Sequence, residues 1–237
     1  DDMPTERRIG FYEKYMKRPL DIIGAIFVLL LFSWLYAIIA LLVRIKLGSP
    51  VLFVQPRPGK NERIFNLYKF RTMTDETDAD GKLLSDAERL TPFGKKLRET
   101  SLDELPEAFN ILRGEMSFIG PRPLLVRDMV FMTPVQRMRH CVRPGLSGLA
   151  QVNGRNAISW EDKLNYDIAY IQNMSFIEDV KIGVKTILYA ILSHHGISEN
   201  GKATADDLGD YLLNRGKITF NEYMQKQQEA RYILTHL

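Results

Sequence analysis

Apolar and polar positions are spread very unevenly along this chain of 237 residues. From Ile22 to Val43 runs IIGAIFVLLLFSWLYAIIALLV, 22 residues without a charge. As a helix it would reach about 33 Å, enough for a hydrocarbon core of ~30 Å. It is too long for the apolar region of a cleaved signal peptide, and no small-residue cleavage site follows it. A helix apolar on every side would also need a larger soluble domain than this chain offers. The pattern therefore predicts a membrane-inserted helix.

Beyond it the period changes. Val51–Val54 and Ile64–Thr72 read as two strands of a β-hairpin turned by PRPGKN. Side chains alternate along a strand, so Phe65, Leu67, Lys69 and Arg71 share a face and two cations project together from its end. PGKN is not a phosphate loop, because GxxxxGK[ST] is absent. Asp75–Arg89 is polar and acidic, a loop with a short helix.

From Pro92 the pattern turns helical. Ser101–Glu104 has the form of a capping box, with Phe109, Ile111 and Leu112 as core candidates behind it. Pro121, Pro123, Pro144, Gly145 and Gly148 punctuate extended loops. Trp160–Met174 and Phe176–Ser193 read as helices, and Trp160 as a core residue. Two short helices follow His195, the second opened by Thr219-x-x-Glu222 after Gly216. The fold class expected is α+β, mainly helical with a small β-hairpin.

Charge refines the membrane segment. The net charge is only +3, yet Arg7, Arg8, Lys14, Lys17 and Arg18 precede the segment, and Arg44, Lys46, Arg57, Lys60 and Arg63 follow it. A spanning helix keeps its basic flank in the cytosol and its other flank poor in Lys and Arg. Two basic flanks predict that both ends stay cytosolic, as in a re-entrant helix dipping into one leaflet, with a straight single span as the alternative. Anionic headgroups account for the basic residues, and no nucleic-acid-reading motif is present. The single cysteine, Cys141, excludes an intramolecular disulfide framework and reads as a small buried or half-buried thiol. His140, His194 and His195 lack metal-site spacing.

The adjacent acids Asp103 and Glu104 sit near a helix start, where acids commonly satisfy free N–H groups. Their surroundings carry more. In order, the chain reads KRPLDIIGA, RPGKNERIFNLYKFRTM, SLDELPEAFNILRGEMSFIGPRPLL, VRPGLSGLAQVNGRNAISW and YDIAYIQNMSF. From about Tyr12 to about Thr204 these blocks resemble the small monotopic phosphoglycosyl transferases of the bacterial sugar transferase family.

The resemblance implies a ping-pong enzyme that moves a phosphosugar from a UDP-sugar to polyprenol (undecaprenyl) phosphate and releases UMP. It implies Asp103 as the nucleophile, Glu104 as ligand of the Mg²⁺ cofactor, and a covalent aspartyl phosphosugar. It places Lys69, Arg98, Arg122 and Arg155 at the diphosphate and nucleotide, with Arg71 and Thr72 as neighbours, and Asp167 supporting an arginine or the metal. The physical logic agrees. A carboxylate is ionised at neutral pH and needs no base to activate it. Its approach to an anionic diphosphate calls for cations, and arginine's planar fork suits phosphate oxygens.

The same resemblance implies a bacterial inner-membrane protein on the cytosolic face, feeding downstream glycosyltransferases in polysaccharide or glycoprotein assembly. Residues 1–47 would be the anchor, 48–204 the catalytic domain and 205–237 a helical extension. One departure stands out: Ser33-Trp34 occupies the helix break where the family has Ser-Pro. The competing function is a bitopic membrane scaffold of a glycan-assembly complex without catalysis.

Overall fold

A computed structural model describes residues 9–154, 158–192 and 206–236. Arg7, Arg8, Arg155, His194 and His195 lie outside the described residues.

The apolar run forms two helices. α1 (Lys17–Leu31) follows a π-helical turn at Tyr12–Met16, and α2 (Ser33–Leu47) leaves it at a bend of 64°. The bend forms without proline. Phe32 drops out of helical geometry at φ −101° and ψ 12°, and the Ser33 hydroxyl donates to the Leu30 carbonyl at 3.0 Å. Trp34 merely begins the second arm, 61% exposed on the apolar outer surface. Among the described residues no single helix is long and apolar enough to cross a membrane, whereas this bent pair together has the length and composition.

The inner faces of both arms are tied into the rest of the chain. Arg18 donates to the carbonyls of Ile111 (2.6 Å) and Leu112 (2.9 Å). Asp21 accepts from the Ser117 hydroxyl (2.9 Å) and the Phe118 N–H (3.1 Å). Lys17 pairs with Asp179. Ala25 packs with Phe65, Leu67, Ile111 and Met116; Ile39, Val43 and Leu47 pack with Phe70 and Leu97. Two hydrophobic cores thus run across position 47.

The hairpin pairs β1 (Leu52–Pro58) antiparallel with β2 (Ile64–Phe70), Gln55 opposite Leu67. β1 runs four residues beyond the expected end at Val54, through Pro56 and Pro58. A two-stranded ribbon leaves one edge of each strand open, so a proline there removes no ladder bond. A second, parallel pair joins β3 (Ser117–Ile119) to β4 (Gly145–Ser147). The sequence reads the second of these as loop and gives no sign of the first, since three-residue strands show no periodicity.

The helices follow as α3 (Asp86–Arg89), α4 (Pro92–Glu99), α5 (Glu107–Arg113), α6 (Val126–Met129), α7 (Pro134–Arg137), α8 (Leu149–Val152), α9 (Trp160–Gln172), α10 (Phe176–Leu192), α11 (Leu208–Asn214) and α12 (Phe220–Thr235). The expected Thr219–Glu222 capping box opens α12. Trp160 is buried as expected, its indole N–H on the Asp206 carbonyl at 3.1 Å. Cys141 is half-buried.

Two expectations fail. Ser101–Glu104 is no capping box: Ser101 is left-handed (φ 55°) and makes no cap, and Leu102–Glu104 is a 3₁₀ turn whose acids face other partners. Phe109 is no core residue. It is 44% exposed and meets Tyr36 of α2 edge-on at 5.9 Å. α5 is only two turns long, and Ile111 already fills its inner face.

Candidate active site

The site gathers where β2 ends, the 3₁₀ turn begins and the loop of Pro121–Arg122–Pro123 comes alongside. Thr91 caps α4 by accepting from the Gly94 N–H at 3.0 Å. Gly94 presses on the end of the hairpin so closely that a Cβ there would lie 1.8 Å from the Thr72 carbonyl oxygen. That contact lets Arg98, one turn on, donate from Nε to the Thr72 hydroxyl at 3.0 Å. The chain then turns sharply through Ser101. A left-handed serine costs free energy that the surrounding packing must hold, and such strain gathers at functional sites.

The turn delivers Asp103, 8% exposed, and Glu104 beside it. Lys69 reaches Glu104 Oε1 at 2.7 Å and Glu107 Oε1 at 3.1 Å, while Arg122 reaches the same Glu104 oxygen at 3.0 Å. Burial opposes the Glu104 charge, but Lys69 and Arg122 outweigh it and hold the carboxyl down at about 2. Asp103 goes the other way. Burial, and then the Glu104 charge, push it up to about 6 against Lys69, Arg98 and Arg122. Glu107 is raised to about 7, by burial first and Glu104 second. Neighbouring carboxyls with separated pKa values are a mark of functional sites.

Lys69, Arg98, Thr72, Asp103, Glu104 and Arg122 therefore lie together. Arg71 does not join them. It is buried, donating to the Ser49 carbonyl at 3.0 Å and to Asp75 at 2.8 Å, so it ties the base of the hairpin. The two cations expected to project together instead diverge, Lys69 to Glu104 and Glu107 and Arg71 to Ser49 and Asp75.

A chain with this geometry matches the sequence pattern of the family described as "Bacterial sugar transferase" over residues 12–193. It is 47% identical over 191 residues to EpsL of Bacillus subtilis (strain 168), named an uncharacterized sugar transferase, covering 81% of this chain and 94% of that one. It is 41% identical over 181 residues to the UDP-N-acetylgalactosamine-undecaprenyl-phosphate N-acetylgalactosaminephosphotransferase of Aeromonas hydrophila, covering 73% of this chain but 43% of that one. Against the exopolysaccharide production protein ExoY of Rhizobium meliloti (strain 1021) the figures are 38% over 195 residues, 75% and 86%. The chain belongs to the bacterial sugar transferase family.

In this sugar transferase Asp167 takes one of its two expected places, and Arg139 and Arg57 support the site without having been announced by the motifs. Asp167 supports an arginine: it accepts from Arg139 Nε (2.9 Å) and pairs with Nη2 (2.8 Å), both residues being buried. Arg139 Nη2 in turn donates to the Arg122 carbonyl at 2.6 Å, and Arg57 Nη1 to the Pro123 carbonyl at 3.0 Å. Two arginines thus hold successive parts of the loop that carries Arg122, and proline on each side stiffens it. Glu107 is the other omission. Its spacing of three from Glu104 could have found it, since neighbours at that spacing share a helical face.

Among the described residues no three His, Cys, Asp or Glu are grouped to hold a metal. Mg²⁺ is commonly held by one or two carboxylates and completed by substrate phosphates and water. Glu104 is the carboxylate expected to serve, and Lys69 and Arg122 are both drawn to the same one of its oxygens, Oε1.

Proposed function

We propose that this sugar transferase moves a sugar phosphate from a UDP-sugar to a polyprenol phosphate in two steps, through a covalent aspartyl phosphosugar on Asp103. In the first step an Asp103 carboxylate oxygen attacks the phosphorus that bears the sugar. The bond from that phosphorus to the oxygen bridging it to the nucleotide breaks, and UMP leaves with the electron pair. In the second, a phosphate oxygen of the polyprenol phosphate attacks the same phosphorus and frees the carboxylate. The aspartyl phosphosugar is a mixed anhydride, so it keeps much of the reactivity of the diphosphate it replaced.

One observation carries the reading: a buried carboxylate, raised to about 6, is set among Lys69, Arg98 and Arg122. It is ionised at neutral pH yet held out of water, so its nucleophilicity is not masked by solvation. Arg122 and Arg98 supply donors toward diphosphate oxygens, and Lys69 screens Glu104 and Glu107 from the incoming anion. Glu104 would hold Mg²⁺ beside Asp103, and the metal would neutralise diphosphate charge.

The test is UMP release from a panel of UDP-sugars with polyprenol phosphate, with and without chelator. Release should need a divalent cation. Asp103 must be ionised to act, so log kcat/KM should fall with unit slope on the acid side, below about pH 6 for the metal-free carboxyl and lower where a bound cation stabilises its charge. Release in excess chelator would remove the metal, and a kcat/KM with no acid limb down to about pH 3 would remove Asp103 as the group setting it.

We propose also that the bent helix pair enters one leaflet and returns, leaving both ends on the cytosolic face of the bacterial inner membrane. The 64° bend, the exposed apolar outer surface and the two basic flanks support this. The site must meet both a cytosolic nucleotide sugar and a lipid phosphate at the surface. A cysteine placed at Thr5 in a Cys141→Ser background should resist a membrane-impermeant thiol reagent in intact cells and react after lysis. Prompt labelling from outside would establish a straight span.

A further inference from the structure

Immediately after the loop that carries Arg122, one buried acid holds two distant pieces of backbone. Asp128, in α6, is 3% exposed. Its Oδ2 accepts from the Leu125 N–H at 3.0 Å, closing the first turn of α6 directly behind Pro123. Its Oδ1 accepts from the Leu208 N–H at 3.0 Å, the first residue of α11. Beside it Arg127 pairs with Asp207 at 2.7 Å.

Apolar packing follows the same line. Leu208 packs with Met132, Trp160 and Leu164, with Leu124 of the loop's exit against them. Ala230 of α12 closes on Val126 and Met129 of α6 and on Val130 just after it. The approach of α11 is close enough that a Cβ on Gly209 would lie 2.5 Å from the Phe131 ring. These C-terminal helices lie beyond residue 193, where the family match ends.

We infer that residues 206–236 brace the arginine loop from behind, and that Asp128 is the positioning residue through which they set the aim of Arg122. Arg57 and Arg139 hold the loop's carbonyls on one side; Asp128 holds the chain leaving it on the other. An acid that accepts two backbone N–H groups in a buried setting cannot release one without leaving that donor unsatisfied. The position of α6 is therefore coupled to the docking of α11. The inference rests on Arg122 contacting the nucleotide sugar, as proposed above.

A double-mutant cycle in the full chain tests it. Asp128→Asn keeps the shape but sets an amide N–H against one of the two backbone donors. In the parent background it should lower kcat/KM for UMP release by about tenfold or more, the scale of a slightly misplaced catalytic group. In an Arg122→Gln background the same change should cost less than about twofold, since there is no guanidinium left to misplace. Arg127→Gln, which spares the core, should show the same non-additivity more weakly. Equal factors in both backgrounds would overturn the brace, because a general lesion ignores Arg122. An Arg122→Gln enzyme of full activity would overturn both the brace and the role of Arg122 beneath it.

Discussion

Asp103→Asn should abolish UMP release, by at least about 10⁴-fold, the scale of losing a group that reacts covalently. Mixed with UDP-sugar alone, the parent should gain the mass of one phosphosugar, and the variant none. The variant should also melt higher than the parent at pH 8 in the absence of substrate. The sign follows from the pKa. Asp103 is raised from 3.8 to about 6 in the folded protein, so the folded state holds its proton more tightly than the unfolded chain. Above about pH 6 its ionisation opposes folding, by at most about 3 kcal/mol at 1.36 kcal/mol per pKa unit. Asparagine removes that opposition, and the gain corresponds to several degrees in Tm for a chain of this size. An inactive variant that melted lower would point to damaged packing, and one with near-normal turnover would remove Asp103 from the nucleophile's role.

The second large effect is expected at Lys69, whose amine stands between two carboxylates. Lys69→Met would leave Glu107, already almost wholly buried, facing Glu104 with only Arg122 to compensate. Removing one partner from a buried charge cluster costs about 3–5 kcal/mol, and activity should fall with it. Glu107, already raised to about 7, would then rise further, and Glu104 would lose part of what holds it down. Acids raised in the folded state lose stability as pH rises through their folded values, so the deficit should be larger at pH 8 than at pH 6. Adding Glu107→Gln should recover most of the stability, because the amide removes the repulsion. Activity should stay low, as Lys69 is still missing from the front of the site. A Lys69→Met protein with parental melting at both pH values would show that the amine carries none of this charge balance.

How much of this was readable beforehand depends on the range of the interaction. The long apolar segment, the hairpin and the helices after Pro92 follow from periodicity and composition, which act over a few neighbouring residues. So does the place of Asp103 and Glu104 near a turn. The motifs around them named Lys69, Arg98 and Arg122, whose charges gather around Asp103. Thr219 and Glu222 formed their cap for the same local reason. Ser101 and Glu104 have the same spacing and did not, since Glu104 is drawn away by Lys69, which lies 35 positions earlier.

What the chain's own pattern determined is the placing of apolar and charged groups: which run is apolar enough for a bilayer, which strand carries Lys69, which turn carries the acids. What only the tertiary structure decided is which partners those groups meet. Arg71 goes to Ser49 and Asp75 instead of joining Lys69, and Glu107 turns inward to share it. Asp167 serves Arg122 at one remove, through Arg139. The helix pair bends at Phe32 with no proline to force it, because Ser33 takes the Leu30 carbonyl and both arms pack against the domain. Periodicity records the face on which a residue lies, whereas a buried charge is settled by whichever opposite charge folding brings within about 3 Å.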